Sequence, residues 1–369
     1  MRSRLVGRWQ DARNSDSVKV ALVEPYYGGS HKMWADGYVK ASTHDVRLFS
    51  HDARFWKWRM HGAFLTLSEQ LAEDAVANGP PDVILASSMM DVAAFAGAMR
   101  HSAPGVPIAV YFHESQFTYP LSPADKSDLT YPMKNWVSAV VADLVIFNSE
   151  YHRSLFHSEV RRFLNVFPED KHVHRIDDVM GAAVVLPVGI DLEGLVAADR
   201  IETAPPLIVW NHRWEHDKGP EELALIVRGL LDRGVDFRMA MCGEVFVSVP
   251  DEFSAVTQLL GHRLVHEGWA TRDRYQALLS EATVAISTAQ QEFFGIGVVE
   301  AIAAGAHPVL PDRLVYPERV AALEGQSSSV LYSSPDHAVD LVVAALSGPP
   351  STLRGATMQY DWSAVAPQY

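Results

Sequence analysis

The chain has 369 residues, 48% of them hydrophobic and 21% charged, with a formal net charge of −14. That length suits two domains rather than one, and that composition belongs to a soluble globular protein, not a disordered or fibrous one. The acidic total argues against non-specific wrapping of a polyanion; no apolar run reaches membrane-span length; the single Cys242 forbids an internal disulfide and fits a reducing cytoplasm.

Residues 1–17, MRSRLVGRWQDARNSDS, are basic but lack the apolar core of a secretory signal, and they read as a loose extension. A first domain is expected over 18–204. Its strands are VKVALVEP (18–25), DVRLFS (45–50), PDVILASS (81–88), PIAVYFH (107–113), DLVIFNS (143–149) and AVVLPVGI (183–190). Each is nearly continuous in apolar residues, as parallel strands covered on both faces are. SHKMWADGYVKA, FLTLSEQLAEDAVANG and MKNWVSAVVA supply helical spacing between them. Pro205-Pro206, after the polar stretch 191–204, marks the linker to a second domain over 205–348. There LIVWNH (207–212), FRMAMCG (237–243), ATVAIST (282–288) and HPVLP (307–311) alternate with PEELALIVRGLLDRG, DRYQALLSEA and GVVEAIAAG. Strand and helix alternating twice over predict two doubly wound α/β domains, whose ligands bind outside the carboxyl ends of the strands. The tail 349–369 closes on MQYDWSAVAPQY, amphipathic enough to dock, with the first domain as a candidate surface.

Charge is unevenly spread. Residues 1–61 carry 11 Lys and Arg against 6 Asp and Glu, whereas the remainder carries 20 against 39. Within the basic part, ARFWKWRMHG (53–62) joins Arg54, Lys57 and Arg59 to Phe55, Trp56 and Trp58 with no carboxylate. A cationic, aromatic loop suits single-stranded RNA, with bases stacked on rings and phosphates met by cations. The same pattern also arises when alternating aromatics are half-buried and the cations snorkel.

Two stretches of the second half carry anion chemistry. In QQEFFGIGVVEAIAAG (290–305), Glu292 and Glu300 are eight apart and Gly295-Ile296-Gly297 lies at a strand-to-helix junction. Glycines there let a backbone approach phosphate oxygens, and the helix start favours an anion. An ordinary glycine-started helix with an exposed Glu would read the same way. WNHRWEHDKG (210–219) places Arg213 and Lys218 in a loop before Gly219-Pro220, where two cations can neutralise a diphosphate or else pair with Glu215 and Asp217.

A glutamate pair preceded by a strand-end Arg/Lys pair resembles the family-4 retaining glycosyltransferases of the GT-B fold. EPYYGGSHK (24–32), YFHESQFTYP (111–120), ADLVIFNS (142–149), HRWEHDKGPE (212–221), GEVFVSVPDEF (243–253), ISTAQQEFFG (286–295) and LVYPE (314–318) resemble its tRNA-queuosine α-mannosyltransferase branch. The resemblance implies an α/β, GT-B architecture, two doubly wound Rossmann-like domains facing across a cleft. It implies a retaining transfer of mannose from GDP-mannose to the cyclopentene diol of queuosine in a tRNA anticodon loop. Carried over by position, Arg213 and Lys218 stabilise the leaving diphosphate, Glu292 positions the sugar, and Glu300 meets the ribose. Backbone N–H groups of Phe294, Gly295, Ile296 and Gly297 hold oxygens, and Gly28 and Gly29 form the glycine loop. His113 lies against the donor sugar, although a strand-end histidine also caps carbonyls. Gly243 and Trp269 follow strands where a purine could bind, with packing the expected use of the tryptophan. Arg54, Phe55, Trp56, Lys57, Trp58 and Arg59 become the acceptor RNA surface.

The chain has no D-x-D triplet, H-E-x-x-H or C-x-x-C, so no cofactor and no metal are expected, cations taking the place of Mg²⁺. The alternative is a GT-B hexosyltransferase acting on a lipid or saccharide. The lack of a strongly amphipathic basic helix in the first domain counts against a lipid, so no membrane partner is expected.

Overall fold

Six of the expected apolar runs become one parallel sheet. In the computed structural model, which describes residues 17–118, 128–195, 204–245, 250–321, 327–349 and 351–369, they are β1 (Lys19–Tyr27), β2 (Asp45–Asp52), β3 (Val83–Ser87), β4 (Ile108–Phe112), β5 (Leu144–Phe147) and β6 (Val184–Val185). The N-terminal extension up to residue 16, most of the linker (196–203), Tyr119-Pro120 and 246–249 lie outside the described residues. Strand order is β2-β1-β3-β4-β5-β6, every neighbour parallel. The chain turns one way from β1 to β2 and the other way from β3 onward. The carboxyl ends of β1 and β3 therefore form the switch point at which open α/β sheets bind ligands.

A second sheet has the order β12-β11-β10-β7-β8-β9, from β7 (Leu207–Asn211), β8 (Arg238–Cys242), β9 (Leu264–Gly268), β10 (Ala282–Ile286), β11 (His307–Pro311) and β12 (Leu331–Tyr332). Its switch point falls between β7 and β10, where WNHRWEHDKG and QQEFFGIG begin. The sequence does not announce β12, and it marks β9 only through the strand expected before Trp269. β9 is a partly exposed edge strand and β12 has two residues, so neither carries a continuous apolar run. The helices Glu150–Leu164 and Asp251–Leu260 were also not singled out from the pattern.

The chain separates into one unit of Met1–Ile190 with Trp362–Tyr369 and another of Asp191–Asp361, each with its own apolar core. In the first unit the terminal segment packs back by specific contacts. Trp362 N–H donates to the Ile190 carbonyl at 3.1 Å, and Trp34 Nε1 donates to the Tyr369 hydroxyl at 3.0 Å. The Trp362 ring fills space that a side chain at Gly37 or Gly189 would occupy, since a Cβ there would sit 2.0 or 2.3 Å from its atoms. Trp362→Ala is accordingly expected to cost the first unit about 3–5 kcal/mol, the range for a buried ring removed to leave a cavity. Denaturant unfolding followed by tryptophan fluorescence and circular dichroism measures it.

The cationic, aromatic stretch is not a loop. Only 53–55 precede the helix Trp56–Asn78, so Trp56, Lys57, Trp58 and Arg59 are its first turn. Helical spacing places Met60, Ala63, Leu67 and Leu71 in the core, and that burial draws the ribbon into the helix. Among the described residues no helix is long and apolar enough to cross a membrane.

Candidate active site

The second unit builds its site at the β7/β10 switch point. β7 ends at Asn211, and the following loop passes through the 3₁₀ turn His216–Lys218 into the helix Pro220–Asp232. Gly219 joins turn to helix at φ 63°, and a Cβ there would lie 2.2 Å from the Thr288 carbonyl oxygen. Glycine lets the loop press against the end of β10. Lys218 is thereby buried: its Nζ donates to the Gln291 carbonyl at 2.7 Å, pairs with Asp217 at 3.0 Å and stands 3.6 Å from Glu292 Oε2. Thr288 Oγ1 locks the loop by donating to the Lys218 carbonyl at 2.7 Å.

Glu292 sits three residues before Gly295, whose φ of 84° opens the helix Ile296–Ala303. Its Oε1 accepts from the N–H groups of Phe293, Phe294 and Gly295 at 3.1, 3.3 and 3.1 Å. Burial pushes the Glu292 pKa up, but Lys218, His212 and these N–H donors outweigh it and hold the group below its usual value. Glu292 is therefore a carboxylate with one oxygen spent on the backbone and the other turned toward Lys218. This corrects the expectation for Phe294 and Gly295: their N–H groups serve the chain's own anion. The helix Ile296–Ala303 itself starts without a side-chain cap.

Arg213, in contrast to Lys218, is half-exposed and pairs with Glu215 at 3.0 Å. His212, the residue before Arg213, is buried, with a pKa lowered to about 4 by burial and by the Lys218 and Arg213 charges, against the pull of Glu292 and Asp217. One rigid cation, one adjustable cation, a carboxylate and a neutral imidazole thus share one loop cluster.

Glu300 occupies the buried side of its helix. Arg272 donates to Oε1 at 3.0 Å and the Tyr275 hydroxyl donates to Oε2 at 2.8 Å, while burial raises its pKa. Asn211 Nδ2 links this group to the loop by donating to the Gly297 carbonyl at 2.7 Å and to the Tyr275 hydroxyl at 2.9 Å. Arg272, Tyr275 and Asn211 were not singled out from the sequence; Arg272 and Tyr275 three apart at the start of one helix were the available signal. Gly243 lies where a Cβ would meet the His212 carbonyl oxygen at 1.8 Å, so this glycine lets β8 end against the loop after β7. Gly243→Ala is expected to cost about 1–3 kcal/mol or more by overpacking and to disturb His212–Arg213; a thermal melt and donor titration would show both. Trp269 is 73% exposed and so does not serve packing, contrary to expectation.

The first unit gathers a second cluster at its own switch point. Gly28 is extended and must be small, because a Cβ would lie 2.3 Å from that of Ala53; Gly29, at φ 51°, begins the helix Gly29–Ala41. His31, from that helix, bonds Glu24 at 3.1 Å through Nδ1 and Glu114 at 3.2 Å through Nε2. Glu24 is fully buried at the end of β1, its Oε1 accepting from the Ser87 hydroxyl at 3.0 Å and the Tyr26 N–H at 2.9 Å. His113 follows β4, buried against His31, Trp34 and Tyr111, and Nε2 has no hydrogen-bond partner among the described residues. That nitrogen stands 4.0 Å from Glu24 Oε2. Glu24 and His31 lie within EPYYGGSHK, yet no sequence spacing joins them to His113 and Glu114.

On the ribbon, Phe55 is 79% exposed and Trp58 is 62% exposed, whereas Trp56 packs on Tyr131 at 5.0 Å with Lys57 over its ring. Arg54 and Lys57 are exposed, but Arg59 donates twice to the Asp52 carbonyl and braces the helix start. The six residues therefore divide into outward groups and supporting ones.

Residues 19–190 match the family model described as tRNA-queuosine alpha-mannosyltransferase N-terminal, and residues 196–355 match that of glycosyl transferases group 1. The tRNA-queuosine alpha-mannosyltransferase of Drosophila melanogaster is 34% identical over 310 residues, covering 81% of each chain. The GDP-mannose:cellobiosyl-diphosphopolyprenol alpha-mannosyltransferase of Xanthomonas oryzae pv. oryzae (strain PXO99A) is 27% identical over 194 residues, 50% of each chain. Among solved structures, sucrose-phosphate synthase from Thermosynechococcus elongatus superposes with a TM-score of 0.68 at 14% identity, covering 95% of this chain and 96% of the other, which shows the fold. With both of its units matched in this way, the chain is a GT-B glycosyltransferase and belongs to the tRNA-queuosine alpha-mannosyltransferase family.

Proposed function

We propose that the protein transfers mannose from GDP-mannose to the cyclopentene diol of queuosine in a tRNA anticodon loop, with retention of anomeric configuration. The name of the Drosophila relative supports the acceptor, and that of the Xanthomonas relative supports the donor. The observation that carries the reading is the buried Lys218 set against Glu292 beside the half-exposed Arg213. As the anomeric C–O bond to the diphosphate breaks, negative charge grows on the leaving oxygens, and preorganised cations stabilise it without solvent rearrangement. Lys218 supplies the fixed charge and Arg213 the fork that follows the phosphates. Glu292 holds a sugar hydroxyl through its remaining oxygen, while Ile296 and Gly297 N–H groups meet an anionic oxygen. The acceptor hydroxyl attacks the same face, its proton passing to the departing phosphate oxygen, so GDP leaves and one glycosidic bond forms. No divalent ion takes part at the diphosphate. Glu300 binds the ribose, the reaction is cytoplasmic, and His113→Ala lowers turnover far more than donor affinity.

The test is direct. Incubation with GDP-mannose and queuosine-containing tRNA, then digestion to nucleosides, should give queuosine heavier by one hexose; tRNA lacking queuosine should give none. Omitting Mg²⁺ should leave the donor-side chemistry intact. Hexose appearing only on a lipid or saccharide acceptor would overturn the assignment.

A further inference from the structure

The first unit's cluster is built for more than hydrogen bonding. Glu24, His31 and His113 each offer one ligand atom, these atoms lie within 4.8 Å of one another, and all three residues are buried. They come from the end of β1, the first turns of Gly29–Ala41 and the end of β4. We propose that Glu24 Oε2, His31 Nδ1 and His113 Nε2 form a divalent metal site suited to Zn²⁺.

Around a tetrahedral zinc with bonds of about 2.0–2.1 Å, neighbouring ligand atoms sit about 3.3 Å apart. Here Glu24 Oε2 is 3.1 Å from His31 Nδ1 and 4.0 Å from His113 Nε2, bracketing that spacing. A second feature is the sealed His113 Nε2, with no hydrogen-bond partner among the described residues. A buried, orphaned imidazole nitrogen costs free energy that a metal bond would offset. The surroundings are also those of ligated side chains. Glu114 accepts from the other nitrogen of His31 at 3.2 Å, the carboxylate–histidine arrangement that orients a metal-bound imidazole, and Ser87 and Tyr26 hold the second oxygen of Glu24. Two histidines and a carboxylate suit zinc among the common divalent ions, and Mg²⁺ much less. All three ligands belong to the first unit, and the proposal does not depend on the identity of donor or acceptor.

The experiment reads metal, not activity. Untagged full-length protein, purified without chelator and dialysed against metal-free buffer, should retain about one zinc per chain by plasma mass spectrometry. After removal, titration with Co²⁺ should give the visible absorption of a tetrahedral site, and Zn²⁺ should raise the melting temperature. Glu24→Gln and His31→Gln should abolish both responses, whereas Glu114→Gln should weaken affinity about 10–100-fold while keeping the absorption. Circular dichroism of each variant separates metal loss from misfolding. If folded wild-type protein binds no zinc and shows neither Co²⁺ absorption nor a melting shift, the site does not exist. Responses that persist in folded Glu24→Gln would place the metal elsewhere and equally overturn the proposal.

Discussion

Lys218→Met is expected to lower mannosyl transfer about 10²–10³-fold, the cost of deleting one preorganised charge stabiliser, and to destabilise the second unit as well. The ammonium is buried between Asp217 and Glu292, so its removal leaves two carboxylates facing one another without their cation. Breaking a buried pair from one side costs about 3–5 kcal/mol, readable as a lower denaturation midpoint. Adding Asp217→Asn should restore much of that stability by removing one stranded charge, but none of the turnover. Arg213→Ala separates chemistry from folding. Its pair with Glu215 is partly solvated, and exposed pairs contribute about 0–1 kcal/mol. Its melting point should hold while turnover falls over a range similar to that for Lys218. Single-turnover assays at saturating donor, with donor affinity measured separately, check both. Full turnover in folded Lys218→Met and Arg213→Ala would remove the site from the reaction.

Replacing Phe55 by glycine is expected to act in opposite directions on stability and on tRNA. Phe55 precedes its helix at φ 52°, a left-handed backbone that costs a bulky residue on the order of 1 kcal/mol and glycine almost nothing. Phe55→Gly should therefore leave the melting point unchanged or raised. The ring is also among the most exposed apolar groups of the protein, and a base stacked on it contributes about 1–3 kcal/mol, so tRNA affinity should fall roughly 5- to 150-fold. Arg54→Ala with Lys57→Ala removes the two outward cations. Each phosphate contact to a single strand contributes about −0.7 to the slope of log affinity against log salt, so the pair should flatten that slope by about 1.4 while leaving GDP-mannose affinity unchanged. Arg59→Ala belongs to a different class because its guanidinium supports the Asp52 carbonyl; its main effect should be on stability. Intact tRNA turnover in the Phe55 and double variants would make the ribbon scaffold.

The strands of both sheets were legible because a parallel strand covered on both faces must be apolar along its length, as β1, β4 and β10 are. Glycines 219 and 295, with Glu292 and Lys218 beside them, were legible because a strand-to-helix turn that approaches an anion leaves a compact local signature. The edge strand β9 and the two-residue β12 bury too little to write one. Local spacing also placed the ribbon in a loop, where the burial of Met60, Ala63 and Leu67 several residues later winds it into a helix. Tertiary structure alone decided that Glu292 caps its own backbone, that Glu300 is held by Arg272 and Tyr275, and that Trp362 closes over Gly37 and Gly189. The convergence of Glu24, His31, His113 and Glu114 is of the same kind. These residues are up to 90 positions apart, and strand order, which no local pattern encodes, brings β1 and β4 to either side of β3. Sequence determines chemistry that one turn of chain can hold; packing decides which distant groups must share a buried charge.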